Sequence, residues 1–159
     1  MESSTILTTI LFSFLPIAEL RGGLPYGYFN GMPIWMAYLI SVGCNACVAP
    51  LLYIFLSSFH KLFYKLGWYA RLFDRFVDRA RLKLESKVHK YGYLGVMFFV
   101  AIPLPITGAY TGTLGAWILG MDWKRTCLAA LGGVIISGLI VSTIILLGVG
   151  THSIFIKAI

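Results

Sequence analysis

The stretch Pro16-Ile17-Ala18-Glu19-Leu20-Arg21-Gly22-Gly23-Leu24-Pro25 decides how this sequence folds. It follows a run from Thr5 to Leu15 that holds no charge. It then sets a carboxylate and a guanidinium two positions apart, between two prolines and beside two glycines. In so apolar a chain Glu19 and Arg21 fall at membrane depth, where each charge costs roughly 2.5–3.5 kcal/mol on insertion scales. Proline removes a helix hydrogen bond, and glycine tolerates conformations that other residues avoid. The stretch therefore reads as a break in a membrane helix, with two charges turned into the protein. The alternative is a short loop outside the membrane between two helices.

Outward from the break, Thr5 to Ala18 forms a helix of about 14 residues, roughly 21 Å long, too short to cross a core of about 30 Å. Tyr26 to Asn30 then carries the chain to Gly31-Met32-Pro33. Ile34 to Phe59 is a first full span without a charge, with Asn45 near its middle, Ser41 one turn earlier on the same face, and Pro50 as an expected kink. The character changes from His60 to Lys90. Nine Lys or Arg and three acids accompany apolar residues at helical spacing, among them Leu62, Leu66, Phe73, Val77, Leu84 and Val88. This is an amphipathic helix with a basic face, lying in the membrane interface on the cytoplasmic side. Tyr93 to Ile102 is a second short apolar run, and Pro103 to Gly112 a second break. Thr113 to Met121 is a short apolar piece, Asp122 to Arg125 a charged loop, and Thr126 to Gly150 a second full span. Small residues Ala129, Gly133 and Ser137, and Gly138 and Ser142, recur along it at helix-packing spacing.

The bulk composition agrees. Of 159 residues, 58% are hydrophobic and 12% charged, against about 25% charged in soluble domains, and the mean hydropathy is +0.84. This is an integral membrane protein. The net charge of +7 is concentrated in one segment between apolar runs, which points to a membrane surface and not to nucleic acid. The N-terminus lacks a basic region and a convincing cleavage site, so no signal peptide is expected. Three cysteines are too few for a disulfide framework. Cys44 and Cys47 share a helix face without the further ligands a metal site needs, and no metal or other cofactor is expected.

Shifted by 89 residues, the chain matches itself at Leu15/Leu104, Pro16/Pro105, Ile17/Ile106, Gly23/Gly112, Gly31/Gly120, Met32/Met121, Leu39/Leu128 and Gly43/Gly132. Each half reads as a broken helical hairpin followed by one full span. Repeat 1 covers 1–59, the basic linker helix 60–92 and repeat 2 93–159, within a single membrane domain. Placing both basic segments in the cytoplasm makes the two spans antiparallel and opens the hairpins to opposite sides. The expected fold is thus all-α, with two inverted repeats whose re-entrant hairpins meet near the midplane, where transporters bind substrates.

Glu19-Leu20-Arg21-Gly22-Gly23-Leu24-Pro25, together with Pro103-Leu104-Pro105-x-Thr107-Gly108-Ala109-x-Thr111-Gly112, resembles the small multidrug export protein family over nearly the whole chain. That family in turn looks like a relative of the DedA superfamily, whose members have two facing re-entrant hairpins. The resemblance implies a transporter or a scramblase-like activity, with polyprenyl phosphate lipid carriers among the substrates implicated for DedA relatives. Those proteins usually carry arginines in the second hairpin, whereas Phe98 to Gly112 holds none.

The leading expectation is a transporter of the cell membrane, spanning it more than once, in which Glu19 binds a proton or cation and Arg21 is its partner or an anion clamp. Half-helix ends and the polar groups of Thr107, Tyr110 and Thr111 complete the site. Gly22, Gly23, Pro25, Pro103, Pro105, Gly108 and Gly112 shape it, and Asn45 is a further candidate. The cargo would be an anionic lipid carrier or, alternatively, a small drug-like molecule. A third reading is a structural membrane subunit without transport, in which Glu19 and Arg21 are only a structural pair. An enzyme is not expected, because His60, His89 and His152 lie at segment ends and form no triad spacing. Membrane lipids and a second copy of the chain are the expected partners.

Overall fold

Large apolar side chains point outward along the first helix and small polar ones inward. In the computed structural model, which describes residues 3–58, 67, 71, 74, 75, 78, 91–104 and 107–157, with side chains to residue 148, helix α1 spans Ser3–Phe14. Its Thr5, Thr9 and Ser13 are buried, whereas Leu7 and Leu11 are exposed. The buried hydroxyls stay satisfied by their own helix: Thr9 Oγ1 donates to the Thr5 carbonyl and Ser13 Oγ to that of Thr9, each at 2.7 Å. Small residues inside and leucines outside are what a helix surrounded by lipid needs, since lipid already solvates leucine and interhelical contact rests on close packing.

Five further helices follow: α2 Glu19–Phe29, α3 Ile34–Ser58, α4 Tyr93–Ala101, α5 Ala109–Ile118 and α6 Trp123–Lys157. No strand occurs among the described residues. Two helices are long and apolar enough to cross a membrane, Ile34–Ser58 and the Trp123–Gly148 part of α6, and only 33% and 39% of their most apolar windows are buried. A core helix of a soluble protein would be mostly covered. Here Leu39, Leu51, Ile54, Leu128, Leu139, Ile144 and Leu147 remain more than half exposed, a continuous apolar surface that water does not tolerate. Helices α1, α2, α4 and α5, of 12, 11, 9 and 10 residues, reach about 14–18 Å at 1.5 Å per residue and cannot cross such a core singly.

Helices α3 and α6 run antiparallel. Tyr38 donates to the Ile135 carbonyl at 3.2 Å near one end, and Tyr53 donates to the Met121 carbonyl near the other. Glycines set how closely α6 is approached. A methyl group at Gly133 would come within 2.6 Å of the Met97 carbonyl and Val100 Cβ of α4. One at Gly138 would come within 2.7 Å of Tyr38 and Val42 of α3. The small residues of α6 therefore form two separate packing faces. The core between them is built from Leu20, Leu24, Val42, Val48, Val96, Phe99, Val100, Ala109 and Val134.

The 89-residue spacing recurs in the backbone. Met32 N–H pairs with the Gly27 carbonyl and Met121 N–H with that of Ala116, both at 3.0 Å. Asn30 to Tyr26 is matched by Leu119 to Gly115, and Gly31 to Tyr28 by Gly120 to Trp117. These are the C-terminal turns of α2 and α5, and each turns on a glycine at positive φ, Gly31 at 86° and Gly120 at 68°. Side chains rarely adopt that region, which is why glycine stands at both.

Several boundaries differ from the sequence reading. The first break is not Pro16–Pro25 but the four residues between Phe14 and Glu19; Leu20 through Pro25 lie inside α2. One glycine serves packing: a methyl at Gly23 would meet the Thr9 carbonyl at 2.8 Å, so Gly23 lets α2 lie on α1, while Gly22 faces Ala18 of the break. That contact offsets the roughly 1 kcal/mol by which glycine weakens a helix, and Phe12 stacks edge-on to Tyr26 at 5.0 Å beside it. The second break likewise shortens, because α5 begins at Ala109, and Tyr110, Thr111 and Gly112 are helical. Gly112 repeats the role of Gly23, its open side facing Val100 at 2.6 Å. Helix α3 is continuous through Pro50. Trp123 to Arg125 is the first turn of α6 and not a loop, capped by Asp122, whose Oδ1 accepts the Arg125 N–H at 3.0 Å. The basic helix expected over 60–90, and Pro105, lie outside the described residues, apart from the few positions named above.

Candidate functional site

Glu19 is the first residue of α2, and only 5% of it is exposed. Its φ of 51° makes it the one non-glycine residue at positive φ among the described residues. A side chain held in that region costs on the order of 1–2 kcal/mol, and such strain persists only where the surroundings fix it. They do so here. The Glu19 carboxylate sits on the N-terminus of α5, where the N–H groups of Ala109 and Tyr110 donate to it, the latter to Oε1 at 3.4 Å. Oriented amides and the positive end of the helix dipole both favour a carboxylate at that position. The Asn45 side-chain amide, from the middle of α3, is a further donor to it.

Arg21 completes the arrangement. Its Nη2 lies 3.5 Å from Glu19 Oε2 and its Nη1 donates to the Leu104 carbonyl in the second break. Leu104 is itself tied down. The Thr107 hydroxyl is 2.7 Å from the Ile102 carbonyl and 2.8 Å from the Leu104 carbonyl, and accepts the Leu104 N–H at 3.3 Å. In the other direction, the Tyr110 hydroxyl donates to the Phe14 carbonyl at 2.6 Å, satisfying one of the carbonyls that the end of α1 leaves open. Each break is therefore held by residues of the other half: Arg21 from the first half holds the second break, and Tyr110 from the second holds the first.

Gly108 lies at the crossing. Its backbone is extended, with φ 166°, which any residue can adopt. Space is what it provides, because a side chain there would collide with the Glu19 carboxylate and the Arg21 guanidinium. Of the residues singled out from sequence, Glu19, Arg21, Asn45, Thr107, Gly108 and Tyr110 come together. Pro103 sits half-buried in the second break. Gly23 and Gly112 pack helices instead, and Gly22 lies against Ala18 of the first break. Pro25 and Thr111 are half-buried in α2 and α5.

Some buried polar atoms on the helices that carry the site, Asn45 Oδ1, Ser41 Oγ and Thr113 Oγ1, have no hydrogen-bond partner among the described residues. Thr113 was not singled out from sequence, and its place one turn beyond Tyr110 on α5 was the available signal. The Leu104 and Phe14 carbonyls were also missed, since backbone groups carry no mark in a sequence. Among the described residues no group of three His, Cys, Asp or Glu is arranged to hold a metal ion.

Comparison with curated proteins and with solved structures gave no match. A family model described as "Putative small multi-drug export protein" matches residues 19–140. The match opens at Glu19, directly after the first break, and takes in the second break, the long apolar helix α3 and α6 as far as residue 140, and a membrane protein is what those helices and that family together indicate. The chain belongs to the small multi-drug export protein family.

Proposed function

We propose that the protein is a transporter of the cell membrane whose cargo passes the crossing of the two breaks, with Glu19 and Arg21 as its working residues. One observation carries this reading: a strained, buried carboxylate and its arginine are shared between two helix ends and two broken stretches. Charges and open backbone at such depth are costly in a membrane protein and mark transport paths. The family description supports export, and we read the chain as a carrier and not as an enzyme.

In this reading α1–α2 and α4–α5 are re-entrant hairpins, and the halves are inverted repeats. The recurring turns, the antiparallel α3 and α6, and the basic residues at the start of α6 support it. With the cysteines at 44, 47 and 127 replaced, single cysteines at Gly31 and Met121 are expected to react with impermeant maleimide from opposite sides of the membrane. Reaction of both from one side would end the inverted arrangement. Ile17, at the tip of the first break, is fully exposed. Lipid solvates that side chain, and in this reading a second copy of the chain covers the open backbone of the break beside it.

Arg21 is the more open member of the pair, 20% exposed against 6% for Glu19, so the group first met by a cargo is cationic. That favours an anionic head group, such as that of a polyprenyl phosphate, with Glu19 as the carrier of a coupled proton. The planar guanidinium suits phosphate in a way an ammonium does not. Arg21→Lys is expected to weaken polyprenyl phosphate binding about tenfold or more in a folded protein. The family description favours a second reading, export of small lipophilic molecules. In that case a lipophilic cation binds the wild type, depends on Glu19, and is indifferent to Arg21→Lys. Unchanged phosphate-lipid affinity in Arg21→Lys would count against the clamp.

A further inference from the structure

The N-terminal end of α6 carries a second feature that the crossing does not use. Two open apolar grooves flank it and share Leu128 as the ridge between them. One, of about 480 Å³, lies against α3 and is lined by Cys47, Pro50 and Cys127, with Lys124 at its rim. The other, of about 330 Å³, lies against α4 and is lined by Leu94 and Met97, with Arg125 at its rim. Leu128 is 68% exposed and Leu94 55%, so both grooves open outward.

The charges at the rim stand where the helix itself does not favour them. Lys124 and Arg125 stand in the first turn of α6, which has no acidic residue. There the helix dipole and the open N–H groups repel cations. Asp122 is exposed and its Oδ1 accepts the Arg125 N–H as the cap, and neither cation forms an ion pair among the described residues. Both are instead placed over aromatic rings, Lys124 at 5.7 Å from the Trp123 centroid and Arg125 at 5.8 Å from that of Tyr93. An anion seated on the outer side of this turn would meet two cations, with an apolar groove on either side.

We propose that this end of α6 is a binding site for an anionic diacyl phospholipid, its phosphate between Lys124 and Arg125 and one acyl chain in each groove, straddling Leu128. The site is distinct from the crossing of the breaks and stands whether or not the protein transports lipid.

The test is native mass spectrometry of the full chain purified from an equimolar mixture of phosphatidylglycerol and phosphatidylcholine. The wild type is expected to retain phosphatidylglycerol at least about fivefold over phosphatidylcholine. Lys124→Gln with Arg125→Gln should bring the ratio back to that of the mixture. The basic residues of 60–90 remain in that variant to keep its orientation. Cys47→Trp, which fills one groove from an exposed position and leaves both charges, should reduce retention of both lipids. An unenriched wild type overturns the site outright and needs no variant. Enrichment that survives the double substitution, or lipid retention unchanged by Cys47→Trp, overturns it as well.

Discussion

Gly108→Ala is expected to leave the protein folded but markedly less stable and without transport. The added methyl occupies space now held by the Glu19 carboxylate and the Arg21 guanidinium. Both are ends of flexible side chains and can move, so the chain still folds. Moving them breaks the contacts to Tyr110 N–H and the Leu104 carbonyl. A buried charged acceptor left without donors costs on the order of 3 kcal/mol. Gly43→Ala is the control, because nothing lies within 4 Å of that position on α3. There, alanine in a helix interior gains up to about 1 kcal/mol. Thermal unfolding in detergent should move in opposite directions for the two variants. Equal melting temperatures would mean that the crossing is looser than described.

Glu19→Gln is the second large effect. The amide keeps the shape and loses the charge that faces Arg21 and the end of α5. Breaking a buried pair from one side costs about 3–5 kcal/mol. The lower end applies here, since Arg21 keeps the Leu104 carbonyl and is partly open. The variant should also stop responding to a pH gradient, because an amide cannot carry a proton. Adding Arg21→Gln should restore part of the stability by removing the unpaired cation. Full gradient-driven activity in a well-folded Glu19→Gln protein would remove Glu19 from coupling. Stability equal to wild type would remove it from the structural pair.

The long helices were readable because their signal is local. An uncharged run from Ile34 onward has no other use than a span, and the turn glycines Gly31 and Gly120 stand where the backbone needs positive φ. Glu19 and Arg21 stood out for the same reason, as charges in an apolar run. The extent of the breaks was not readable. Proline and glycine report that a helix is weak, but whether Gly23 breaks it or lets it pack is decided by Thr9 and Ser13 of another helix. Pro25 is likewise accommodated inside α2. The reach of Tyr110 to the Phe14 carbonyl, and of Arg21 to that of Leu104, spans 96 and 83 residues. No spacing rule of a helix covers such distances. Gly108 was picked out as part of a motif, yet its reason, room for two side chains from the other half, exists only in three dimensions.

The central claim is that cargo moves past the crossing of the two breaks. Its most direct test is lipid translocation by the purified protein in liposomes, using a polyprenyl phosphate with a dithionite-bleachable fluorophore and an imposed pH gradient. Wild-type protein should expose inner-leaflet lipid to bleaching at least about tenfold faster than empty liposomes, and Arg21→Lys should lose most of that gain. Wild-type liposomes no faster than empty ones, or Arg21→Lys as fast as wild type, would contradict the account.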